Sequence, residues 1–169
     1  THNVKYPGGF SSATRGLIAG GETSGSIHQF IRYITISTTG ATTSFGNLGA
    51  ARTYMGGCAS ATRGIFGGGK QPGGTKLSDI EYVTIASTGT AQDFGNFRVA
   101  RGVPAGLSSP TRGVFGGGYS PTNWTDMEFV TIATLGSVQD FGELNNGGLF
   151  ASNAASNPIR GLFFAGSPS

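Results

Sequence analysis

The chain has 169 residues, 31 of them glycine, with 11% charged residues and a formal net charge of +3. Its length is that of one ordinary domain, its charge excess is too small to mark a nucleic-acid partner, and its single cysteine, Cys58, excludes an intrachain disulfide. No run of 18 apolar residues is present to span a membrane as a helix.

The elements repeat along the chain. TRGLIAGG at Thr14–Gly21 returns as TRGIFGGG at Thr62–Gly69 and TRGVFGGG at Thr111–Gly118, with a worn fourth copy, IRGLFFAG, at Ile159–Gly166. The arginines Arg15, Arg63, Arg112 and Arg160 follow one another at intervals of 48, 49 and 48 residues, a period that belongs to repeat architectures. The array divides into a lead with one strand (1–13), three repeats (14–61, 62–110 and 111–158) and a partial fourth (159–169). The first residue is Thr and no secretory leader is visible, so the chain is expected to be processed or to be a piece of something longer.

The second copy displays the unit most clearly. A first strand is expected near Tyr54–Ser60 and a second over Thr62–Phe66, ended by Gly67–Gly69. A third, rich in β-branched and aromatic residues, covers Asp79–Ser87. A turn at Ser87–Gly89 leads to a fourth over Ala91–Phe97, and Arg101 precedes the next unit. The third strand reads IRYITIST, IEYVTIAS and MEFVTIAT in successive copies, with the muted alternation of a sheet covered on both faces. The fourth carries Phe45, Phe94 and Phe141, each followed by glycine. No segment has a 3.6-residue apolar period, so helix is not expected. Cys58 aligns with Phe10 and Leu107 and reads as a small buried apolar residue.

The chemistry-bearing residues point away from catalysis. Gly64–Lys70 approaches a phosphate-binding loop, but Gln71 stands where the magnesium-binding Ser or Thr belongs, and a strand rather than a helix is expected to follow. The histidines, His2 and His28, have no partner at metal-ligand spacing, and no cofactor is expected. Asn123-Trp124-Thr125 is a glycosylation sequon only in a secretory setting, for which nothing speaks. Asp93 and Asp140 recur in QDFG and are expected to pair structurally with Arg63 and Arg112.

The double glycines Gly20-Gly21, Gly68-Gly69 and Gly117-Gly118, the aromatic residues Tyr33, Tyr82 and Phe129, the phenylalanines Phe45, Phe94 and Phe141, and then Arg52 and Arg101 together resemble kelch repeats. Phenylalanine replaces that family's tryptophan throughout, and Gly148 stands where the third arginine would be. The wording TRGVFGGG, EYVTIASTG and DFG is also similar to repeats in virion and tail-associated proteins of marine bacteriophages. The resemblance implies an all-β fold, a kelch-like β-propeller or part of one, with about three and a half four-stranded units. A second copy or other virion proteins would complete the ring.

The loops between second and third strands differ among copies: ETSGSIHQF, KQPGGTKLS and YSPTNWT. Variable loops on a constant scaffold are where binding resides. Lys70, Lys76, Tyr119, Asn123 and Trp124, with Arg52 and Arg101 from the neighbouring loops, are the expected ligand- or partner-binding residues. The expected function is a non-enzymatic structural or binding module of a phage virion or tail fibre, extracellular, engaging a host-surface glycan or protein. The alternatives are an intracellular kelch-type protein-interaction domain and, third, a glycan-active enzyme, against which the absence of a clustered acid/base set argues.

Overall fold

The computed structural model describes residues 3–145, 149–150, 153–164 and 167–168. The chain is all-β, with no helix among the described residues. β1 (Gly8–Ser11), β2 (Arg15–Ala19), β5 (Phe30–Thr35) and β6 (Thr43–Asn47) form one antiparallel four-stranded sheet in that spatial order. The short hairpin β3 (Glu22–Thr23) and β4 (Ser26–Ile27) rises between its second and third members. β7 (Gly56–Ala59), β8 (Arg63–Gly67), β9 (Asp79–Thr84) and β10 (Gln92–Asn96) repeat the arrangement, as do β11 (Ala105–Ser108), β12 (Arg112–Gly116), β13 (Asp126–Thr131) and β14 (Gln139–Glu143). β16 (Asn153–Ser156) pairs with β17 (Gly161–Phe164), and β15 (Leu149–Phe150) with β18 (Ser167–Pro168). The expected strands are thus present, each within a few residues of its predicted bounds. Gly148 and His2 lie outside the described residues.

Successive sheets pack first strand against first strand: β1 touches β7, β7 touches β11, and β11 touches β16. Glycine makes this approach possible. A Cβ on Gly57 would meet the Gly9 carbonyl, and one on Gly106 would meet that of Gly57. The motif glycines of the second, third and fourth copies are sockets for the preceding unit, whereas Gly16 of the first faces Ile34 of its own sheet. Phe10 fills the space over Gly64, Cys58 that over Gly113, and Leu107 that over Gly161, so any side chain at these glycines would overlap its guest.

Two apolar clusters lie between the sheets. Leu17, Ile31, Phe45, Phe66 and Ile85 belong to the first, and Cys58, Ile65, Phe94, Phe115 and Ile132 to the second. Phe45, Phe94 and Phe141 each occupy the skipped position of a bulge in the third–fourth strand pairing. They stand edge-on to Tyr33, Tyr82 and Phe129. The bulge turns one residue out of the ladder and explains why aromatic-glycine recurs there.

The TRG arginines tie sheets together, though not through the expected aspartates. Arg63 Nη1 donates to the Ile132 carbonyl of the next sheet at 2.7 Å, and Arg15 does the same to Ile85 at 2.6 Å. Each guanidinium also lies over its own sheet's aromatic ring: Arg15 on Tyr33, Arg63 on Tyr82 and Arg112 on Phe129. The expected pairings of Arg63 with Asp93 and Arg112 with Asp140 are therefore corrected. Asp140 is instead 3.3 Å from Arg98.

Candidate site: a cleft between two hairpins

The residue two before each first strand is Tyr6, Tyr54 or Val103, and all three adopt positive φ, at 55°, 61° and 63°. This left-handed conformation is uncommon for a tyrosine and strained for a β-branched valine. Backbone hydrogen bonds between units hold it in place. Tyr54 N–H donates to the Tyr6 carbonyl at 3.0 Å, and Val103 N–H to the Tyr54 carbonyl at 2.7 Å. These linkers therefore run side by side at one end of the sheets.

The variable loops fold back over the same end. Each is a hairpin with its base bridged: Glu22 to Ile27, Lys70 to Lys76 and Tyr119 to Asn123. Each is also bridged to its linker, through Lys5–Glu22, Thr53–Lys70 and Gly102–Tyr119. Of the residues expected to bind a ligand or partner, Lys70, Lys76 and Tyr119 lie together around one cleft. A cleft of about 380 Å³ lies between the second and third hairpins, lined by Tyr54, Lys70, Gly74, Lys76, Gly102, Val103 and Tyr119. The Lys76 ammonium sits 4.3 Å from the centre of the Tyr119 ring. No carboxylate lines the cleft, and neither lysine joins an ion pair among the described residues.

Tyr54 forms the floor. Its ring stacks on Tyr6 at 4.4 Å with planes 20° apart. Burial raises its phenol pKa, as do the hydrogen bond to Tyr6 and the nearby Glu22 carboxylate, so the hydroxyl stays protonated and neutral.

Trp124, Arg52 and Arg101 fall elsewhere. The Trp124 indole N–H donates to the Ser120 carbonyl at 2.8 Å, and its backbone N–H to that of Gly118 at 2.9 Å. The half-buried side chain braces its own hairpin and does not line the cleft. Arg52 and Arg101 are corrected from surface to interior, each only 1% exposed. Arg52 Nη2 is 2.6 Å from Glu81 Oε1, and Arg101 pairs with Glu128. Each glutamate comes from the third strand of the next sheet, a partner that spacing within one unit does not reveal. Val4 and Arg32 hold the corresponding positions at the first sheet, so that unit lacks both members of the pair.

A larger cleft, about 720 Å³, runs along the four first strands and the turns that follow them. Its lining is glycine, alanine, serine and proline with few larger side chains. The turn hydroxyls of Ser12, Ser60 and Ser109 each accept the backbone N–H of the arginine three residues on, as does the Asn157 side-chain oxygen. This cleft is scaffold.

Among the described residues no group of three or more His, Cys, Asp or Glu side chains is placed to hold a metal ion. Gly64–Gly67 lies within β8 and leads into a hairpin, so no helix N-terminus is there to receive a phosphate. No protein-family model and no curated protein sequence matches this chain.

Proposed function

We propose that this chain is a non-enzymatic binding and structural module, an arc of a kelch-like β-propeller whose hairpin end engages a ligand. The observation that carries the reading is the division of labour between constant and variable segments. Strands, sockets and buried arginine–glutamate pairs recur from unit to unit, whereas the hairpins differ and gather at one end around a cleft. Rigid scaffolds presenting variable loops are the common form of binding proteins.

The propeller reading is supported by the outer faces. Ile36 on the first sheet is 50% exposed, whereas its counterparts Ile85 and Ile132 are 1% exposed. Phe141 on the third sheet is 49% exposed, against 2% for Phe94. Each end thus leaves open what an interior sheet covers, and a further unit of the same kind, from a longer chain or a second copy, fits each face. The setting, a phage virion or tail fibre touching a host surface, rests on the resemblance of TRGVFGGG, EYVTIASTG and DFG to such repeats.

Screening the protein against arrayed surface glycans and intact host cells tests the reading. Saturable binding that is lost when the hairpin Lys70–Lys76 is replaced by a short Gly-Ser turn is the expected result. Absence of binding to any glycan or cell surface overturns the adhesin reading. Capture of a defined intracellular protein through the same hairpins would favour a kelch-type interaction domain instead.

A further inference from the structure

We infer that the cleft between the second and third hairpins binds an acidic sugar residue, a pyranose ring bearing a carboxylate, which takes the place of a missing third aromatic ring. The inference rests on the binding-module reading and specifies its ligand.

The linker positions carry Tyr6, Tyr54 and then Val103, joined by the same backbone hydrogen bond at each step. Tyr6 stacks on Tyr54, but the series stops there, because Val103 offers no ring. The cleft opens where the stack ends, with Tyr54 and Val103 both in its wall. Its size falls at the small end of the range that holds small-molecule ligands, about 300–1,000 Å³. A flat ring with C–H faces fits against a tyrosine in such a slot.

Charge decides which ring. Lys70 and Lys76 flank the slot, no carboxylate lines it among the described residues, and Tyr119 closes it on the other side, under the Lys76 ammonium. A carboxylate at the ring edge would supply the absent counter-charge, and a partly enclosed site strengthens that attraction relative to open water. Val103 is itself informative. Tyrosine occupies this φ region at both preceding linkers, so the backbone accommodates the larger residue and valine is the less comfortable choice.

The test uses the whole chain with trigalacturonic acid, its methyl ester and sialyllactose as probes, measured by titration calorimetry at low and high salt. Wild type is expected to bind both acids, with affinity falling as salt rises. The ester, which keeps the rings and loses the charge, should bind about tenfold more weakly or worse. Val103→Tyr restores the stack and fills the slot. It should abolish binding while the melting temperature holds or rises, and Lys70→Ala/Lys76→Ala should weaken binding with the fold intact. Val103→Tyr binding like wild type, or the ester binding as well as the acid, overturns the inference. If glycans bind regardless of charge and of residue 103, this inference fails while the binding-module reading survives. If wild type binds no glycan of any kind, this inference fails, and the adhesin reading fails with it when intact host cells are not bound either.

Discussion

Arg52 and Glu81 carry a structural charge that has been taken almost wholly out of water. Arg52 also donates weakly to the carbonyls of Gly68 and Asp79, and Glu81 accepts the Gly49 N–H. Removing one partner leaves the other charge buried alone, which costs about 3–5 kcal/mol. Arg52→Ala is therefore expected to lower unfolding free energy by that amount in denaturant titrations; Arg101→Ala should cost less, because Glu128 keeps Arg98 at 2.7 Å. Burial pushes the Glu81 carboxyl above its ordinary 4.5, outweighing the downward pull of Arg52. A raised folded value means the folded state holds the proton more tightly than the unfolded one. The Glu81 contribution is then fully present below 4.5 and declines as pH rises through and above that value. Stability measured across that range should fall more steeply with pH in wild type than in Glu81→Gln; parallel curves would contradict this. Cys58 gives a second check. Burial raises its thiol to about 12, so it should resist iodoacetamide at pH 8 and react once denaturant unfolds the chain. The burial of Cys58 was legible in the sequence from its alignment with Phe10 and Leu107. That of Arg52 was not, because an arginine in a loop reads as solvated until the glutamate from the next sheet is seen to meet it.

At the scale of the strand, Gly64, Gly113 and Gly161 are each a receptor for the preceding unit's side chain. Gly64→Ala drives a methyl group into the Phe10 ring, an overpacking expected to cost about 1–3 kcal/mol. Phe10→Ala empties the same space, so the double variant Phe10→Ala/Gly64→Ala should be less unstable than the sum of the two single changes. Additivity would place the clash elsewhere. The strands themselves were readable, because TRG, the aromatic third strand and the aromatic-glycine of the fourth recur with the same spacing. The sockets were hidden because they join residues from different units. The expected Asp93 and Asp140 pairings failed for a related reason. The TRG arginines satisfy themselves on carbonyls of the next sheet and on aromatic rings of their own. The cleft was half legible: loop disagreement marked Lys70, Lys76 and Tyr119. Tyr54 and Val103 escaped notice because nothing in their identities announces a left-handed backbone.

At the scale of the whole molecule, two open faces and a free strand edge remain among the described residues. Among the described residues β17 pairs with β16 alone, and its Leu162 and Phe164 are exposed. Apolar faces and unpaired edges of this kind promote association. Sedimentation velocity on this chain should therefore show mass rising with concentration, and Ile36→Asp should reduce it; a monomer at every concentration would remove the support these faces give to ring completion. Where a ligand meets the array decides whether the hairpin end is the binding end. Amide hydrogen exchange with and without trigalacturonic acid reads this residue by residue. Slowed exchange confined to Lys70–Leu77 and to Gly102, Val103 and Tyr119 is the expected pattern. Protection instead at the turns Ser11–Ala13, Ala59–Ala61 and Ser108–Pro110 would put the ligand in the scaffold cleft and contradict the account.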